Sequence, residues 1–141
     1  MKTIIFYSFG ILTMVTYIFM VFISRTASKT RYHNRIILAI ITLISGLLLD
    51  YFFVNTLPRG YFTLFGSAPF IYLLYYELIR RLMKLWIGPF PYAPQWNKIG
   101  DKITGNGYPN NRTVTRADYV FGIIMLTIPL ITLAILSVIM G

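Results

Sequence analysis

The chain has 141 residues, of which 57% are apolar and only 12% are charged, about half the roughly 25% charged content of soluble domains. A soluble fold of this length has too little interior for so much apolar surface, whereas lipid can solvate it directly. The absence of cysteine excludes disulfides, thiolate metal sites and cysteine nucleophiles. The net charge of +9 comes from basic residues that flank apolar runs, so we expect anionic membrane lipids as partners and no nucleic acid.

Four apolar runs are long enough to cross a bilayer core of roughly 30 Å. We therefore predict an all-α, polytopic integral membrane protein with four transmembrane helices in a single domain. The first run is longer than the apolar core of a signal peptide and lacks a small-residue cleavage site. The predicted spans cover about 3–24, 36–56, 61–80 and 119–140.

The second span carries a row of small or short side chains. Ala39, Thr42, Gly46 and Asp50 recur at intervals of three and four, so they share one face of a helix. Small residues let a neighbouring helix approach closely in lipid, and this face is predicted to pack inwards. A turn sequence at 57–60 follows, which predicts that spans two and three are antiparallel neighbours.

The third span ends in a charged segment. Glu77 is followed three and four residues later by Arg80 and Arg81, a spacing typical of helical ion pairs. The helix is predicted to continue beyond the bilayer as far as Trp86, because the Gly-Pro pair at 88–89 then stops it.

The connector at residues 81–118 contains the one long polar segment, which covers 88–118. Within it Trp96, Ile99 and Ile103 recur at helical spacing, which is typical of a short helix lying in the membrane interface. Gly100 disfavours that helix.

Two further patterns have a structural meaning. Thr115 and Asp118 stand three residues apart before the last span, which predicts a capping box at its start. His33 is the only histidine, and there is no cysteine, so we predict no metal site. No motif predicts a cofactor.

Eleven of the thirteen Lys and Arg residues lie in or beside the connectors after spans one and three, whereas Lys2 and Arg59 lie on the other side. By the positive-inside rule, connectors 25–35 and 81–118 are predicted to be cytoplasmic and both termini external. The expected location is the plasma (inner) membrane. The candidate contacts for lipid headgroups or a partner protein are Arg25, Lys29, Arg31, Arg35, Arg80, Arg81, Lys84, Trp86, Trp96, Lys98 and Lys102.

Two acids in or beside the spans are candidates for an ion or proton site. A carboxylate inside a span costs about 2.5–3.5 kcal/mol at the helix centre, which marks Asp50 as either such a site or an interfacial acid paired with Arg59 or a tyrosine. Glu77 is either a coupling-ion site or the ion-pair partner of Arg80 and Arg81. The structural interpretation is favoured for both acids.

Three functions fit these features. The favoured one is a non-enzymatic accessory or scaffold subunit of a membrane complex, or a homo-oligomer, whose connector 81–118 contacts a partner or lipid. The alternative is a small oligomeric transporter or channel that uses Asp50, Glu77 or both. The third is a lipid-modifying enzyme, against which the missing nucleophile–base pair counts.

Overall fold

The protein is built from helices. The computed structural model describes residues 2–23, 29–53, 60–94, 96–104 and 107–140. In these ranges four helices are long and apolar enough to cross a membrane, which confirms the prediction of a helical protein with four helices of spanning length. The helices are α1 (Lys2–Ile23), α2 (Lys29–Phe52), α3 (Tyr61–Leu82), a short α4 (Lys84–Ile87) and α5 (Arg116–Met140).

Two of the long helices extend beyond the predicted spans on the connector side. α2 begins at Lys29 rather than near Ile36, and α5 begins at Arg116 rather than at Tyr119. A helix need not end where the bilayer ends, because polar and basic residues extend it readily into the interface.

The centre of the fold is α3, which packs against α1, α2 and α5. Its spanning segment is 50% buried, compared with 11% for that of α5. Tyr72 and Tyr76 of α3 lie in a core cluster with Tyr17 of α1 and Phe121 of α5. The outer helices therefore leave most of their apolar surface facing outwards, where lipid would solvate it.

α2 and α3 approach each other closely at two glycines. A Cβ atom on Gly46 would lie 2.5 Å from the carbonyl oxygen of Phe62, and one on Gly66 would lie 2.5 Å from that of Thr42. No side chain fits at these distances, so both glycines are needed for the close approach. Ala39 and Thr42 are also buried, and the small-residue face of α2 thus lies inside the fold.

The end of α3 is marked by two breaks in the helix. Met83 interrupts the helix after Leu82, and α4 then continues to Ile87. Gly88 adopts φ +79° and ψ −168°, a combination that is accessible essentially to glycine alone and lies outside the helical region. The chain thus leaves the helical conformation at the predicted Gly-Pro stop, after one additional interruption at Met83.

The interfacial helix expected from the spacing in the connector does not form within residues 96–104. This segment instead pairs with residues 112–114, and the N–H of Ile103 donates to the carbonyl of Arg112 at 2.8 Å. Gly100 has φ +93°, which a helix does not allow. Pairing between distant residues therefore overrides the local helical spacing.

The connector has a small core of its own. Tyr92, Ile103, Tyr108 and Val114 are buried together, and the rings of the two tyrosines meet at right angles with centroids 5.6 Å apart. The described residues of the connector therefore form a folded unit at one end of the helices.

Candidate functional site

Asp50 lies near the end of α2 and caps the first turn of α3. Its carboxylate accepts hydrogen bonds from the backbone N–H groups of Phe62 at 3.3 Å and Thr63 at 2.8 Å, and from the Thr63 hydroxyl. The N-cap residue itself is Gly60, whose lack of a side chain leaves these donors to Asp50. Arg59, a partner expected from the sequence, lies outside the described residues.

Glu77 lies towards the opposite end of α3 and has partners on two helices. Its Oε2 atom is 2.8 Å from Nη2 of Arg80 and 3.8 Å from Nε of Arg81, which are the ion pairs predicted from the spacing. Its Oε1 atom accepts a hydrogen bond from the Tyr32 hydroxyl of α2 at 2.6 Å. Glu77 therefore links α2 to α3, through a contact that the sequence did not indicate.

Arg35 is placed differently from the other basic residues. It was expected to contact headgroups or a partner, but only 4% of it is exposed. It lies within electrostatic range of Tyr76 on α3, which is also buried. Arg35 therefore belongs to the interior at the connector end of the helices, because its position on α2 faces α3.

The capping box predicted at the start of α5 is present. The N–H and hydroxyl of Thr115 both donate to Oδ2 of Asp118 at 2.8 Å, and the N–H of Asp118 donates back to the Thr115 hydroxyl at 3.4 Å. Oδ1 of the fully buried Asp118 lies 2.5 Å from Nη2 of Arg112. This ion pair ties the connector to the first turn of α5, and the sequence did not indicate it.

Three tyrosine hydroxyls fasten the proline-rich part of the connector. Tyr108 donates to the carbonyl of Pro91 at 2.9 Å, Tyr92 donates to the side-chain oxygen of Asn97 at 2.7 Å, and Tyr119 donates to the carbonyl of Asn97. Burial raises the pKa of the Tyr108 hydroxyl above its ordinary value, so the hydroxyl remains a hydrogen-bond donor at a higher pH than an exposed tyrosine does.

The connector nevertheless exposes large apolar and aromatic side chains. Leu85 is 95% exposed, Trp96 is 89% exposed and Trp86 is 74% exposed, and Ile99 is also exposed. We call these four the platform residues. The exposed basic residues of the same region are Arg81, Lys84, Lys98 and Lys102.

Four other basic residues were predicted to contact lipid headgroups or a partner protein, and the structure describes the side chain of one of them, Arg80. Arg80 is partly buried beside Glu77. Arg25 and the side chains of Lys29 and Arg31 lie outside the described part.

No group of three or more His, Asp or Glu side chains that could hold a metal ion occurs among the described residues. No protein family matches the chain, and no curated protein or solved structure is significantly similar to it. The geometry of the chain is therefore what bears on its function.

Proposed function

We propose that this protein is a non-enzymatic integral membrane protein that serves as an accessory or scaffold subunit of a membrane complex. The connector 81–118 would be its docking surface for a partner protein. One observation carries this proposal: the connector is folded around its own core and fastened to α5, yet the four platform residues remain exposed.

Exposed tryptophans on an ordered segment suit a binding surface. Tryptophan is enriched among the residues that contribute most to protein interfaces. A segment that is already ordered loses little conformational entropy on binding, so more of the contact energy appears as affinity. The core of Tyr92, Ile103, Tyr108 and Val114 supplies that order.

The charge around the platform residues favours an acidic partner. Arg81, Lys84, Lys98 and Lys102 are exposed there, and complementary charge steers association and selects the partner. A two-fold homodimer through this surface would place like charges opposite one another, so a different protein is the better candidate. In this proposal the connectors face the cytoplasm, both termini lie outside, and the protein resides in the plasma (inner) membrane.

The surroundings of the two candidate acids favour a scaffold over an ion-coupled transporter. Asp50 is occupied by the backbone donors of α3, and Glu77 by Tyr32, Arg80 and Arg81. A coupling acid has to exchange its proton or ion during transport, which would break these contacts in every cycle.

The test is co-purification from the native membrane in mild detergent. We expect a stoichiometric partner to co-purify with the unaltered chain. At least tenfold less of this partner should co-purify with the double variant Leu85→Ser, Trp86→Ser, and likewise with the single variant Ile99→Ser. The reason is that an anchor residue of an interface contributes about 2 kcal/mol or more. Val138→Ser is the matched control, because Val138 is an exposed apolar residue near the far end of α5. Recovery of the same partner with both platform variants, or of no stoichiometric partner with the unaltered chain, would contradict the proposal.

A further inference from the structure

An apolar groove lies at the connector end of the helices, between α1, α3, α5 and the connector. Its volume is about 290 Å³. Its lining includes Tyr72 and Met125, which are buried, and Ile123 and Leu126 of α5, which are exposed. Since the exposed lining faces the surroundings of α5, the groove is open towards the space that lipid would occupy.

The connector closes one end of this groove. Ala93, Pro94 and Trp96 contribute to the lining, and the hydrogen bond from Tyr119 to the carbonyl of Asn97 holds this segment against α5. Trp96 is a residue type that prefers the boundary between apolar chains and polar headgroups. The groove therefore runs from the interfacial end of α5 into its apolar part.

Two cationic residues lie close in the chain to lining residues at that interfacial end: Arg116 is three residues before Tyr119, and Lys98 is two residues after Trp96. Arg116, in the first turn of α5, and Lys98, next to Asn97, are both exposed. The nearest acid of α5, Asp118, is buried and already paired with Arg112. Only Asp101, which accepts a hydrogen bond from the N–H of Lys98 at 2.6 Å, offsets this charge, so the mouth of the groove is positive.

We propose that the groove binds one acyl chain of an anionic phospholipid, whose phosphate lies against Arg116 and Lys98. The volume of the groove, about 290 Å³, is close to the lower limit of ligand pockets, about 300 Å³. A groove of this size suits one acyl chain rather than a complete phospholipid. The combination of an apolar slot, an interfacial tryptophan and a positive mouth matches the order of chain, boundary and headgroup in a phospholipid. This inference does not depend on the docking of a partner protein at the platform residues.

The first test is native mass spectrometry of the full-length, detergent-purified protein titrated with phosphatidylglycerol or with phosphatidylcholine of the same acyl chains. One phosphatidylglycerol should bind in preference to phosphatidylcholine. Arg116→Gln should weaken that binding about fivefold, the effect of one basic residue near an anionic surface. Lys84→Gln is the control, because it removes an exposed positive charge from α4, none of whose residues lines the groove, whereas Arg116 lies three residues before the lining residue Tyr119.

The second test fills the groove through Gly122, which lines it. A Cβ atom there would lie 3.6 Å from Ala93 and Pro94, so Gly122→Ala fits without displacement while the longer side chain of Gly122→Leu occupies the groove. We expect Gly122→Leu to abolish the one-site binding and Gly10→Leu to preserve it, because nothing lies within 4 Å of a Cβ on Gly10.

Equal binding of the two lipids, or unchanged phosphatidylglycerol binding by Arg116→Gln or Gly122→Leu, would overturn the inference. Size-exclusion chromatography reports whether each variant is folded and monodisperse. If Gly122→Leu does not fold, Arg116→Gln decides the outcome alone, since its exposed side chain is not part of the core. The variants of Leu85, Trp86 and Ile99 test the scaffold proposal separately, because none of these residues lines the groove.

Discussion

The first turns of α3 and α5 solve the same physical problem in different ways. Each begins with backbone N–H groups that have no partner within the helix. In α3 an aspartate accepts hydrogen bonds from N–H groups of the first turn. At α5 an aspartate accepts them from Thr115, the residue just before the helix. Asp118 belongs to the helix that it caps and stands three residues after Thr115. Asp50 belongs to α2 and reaches α3 across the contact between the two helices.

The two aspartates also differ in burial and in charge compensation. Asp118 is fully buried and paired with Arg112. Asp50 is partly buried, and its hydrogen-bond partners among the described residues are neutral. The charge of the buried local cap is thus compensated by a cation, whereas the cap that α3 receives from α2 depends on how closely the two helices pack.

Removal of Asp118 should have the largest effect. Asp118→Ala removes the carboxylate that accepts hydrogen bonds from Thr115 and leaves the mostly buried Arg112 without its ion-pair partner, which should lower the free energy of unfolding by about 3 kcal/mol. Titration with sodium dodecyl sulfate in mixed micelles measures this change. Asp118→Asn is the control that keeps an acceptor for Thr115 but removes the charge, so it separates the cap from the ion pair. A loss below about 0.5 kcal/mol for Asp118→Ala would show that neither contact stabilises the fold.

Gly46→Ala should break the cap that Asp50 provides to α3 without altering the Asp50 side chain. The added methyl group would meet the Phe62 carbonyl oxygen at 2.5 Å, which forces α2 away from α3 and should cost about 2 kcal/mol. Asp50 should then lose its contact with α3, while Asp118 keeps its contacts. The same denaturant titration measures the cost, and Gly10→Ala is the control, since nothing lies near its Cβ position. Equal stability of the two variants would contradict the close packing of α2 on α3.

Asp50→Ala should have the smallest effect, about 1 kcal/mol, which is typical of losing an N-cap. Hydrogen exchange should become faster at Phe62 and Thr63 and stay unchanged at the first turn of α5. Asp50→Asn keeps an acceptor and should leave this exchange nearly as slow as in the unaltered chain. Faster exchange at α5 but not at α3 would show that Asp50 does not cap α3.

The same pair of variants sharpens the choice of function. If Asp50 were a coupling acid, Asp50→Asn would abolish a pH-dependent transport activity even though the cap remains. In a scaffold, Asp50→Asn should co-purify with the same partner in the same amount as the unaltered chain.

Contacts between residues three or four apart in the chain could be predicted from the sequence, whereas the fold of the connector could not. The pair Glu77 and Arg80 and the capping box of α5 involve residues three apart on one helix, so helix geometry alone brings them together. Trp96, Ile99 and Ile103 have helical spacing as well, yet their segment pairs with residues 112–114. Local spacing fails there because Gly100 weakens the helix and the distant pairing satisfies the backbone instead.

The amino-acid sequence alone predicted four apolar helices, the small-residue face of Ala39, Thr42 and Gly46, and the capping box of Thr115 and Asp118. These follow from composition and from periodicity along one helix, which need no knowledge of neighbours. Three features became known only from the packing of the helices: the central position of α3, the cap that Asp50 provides to it, and the burial of Arg35. Each of these depends on which helices lie side by side, and residues far apart in the chain become partners only once packing has placed them there.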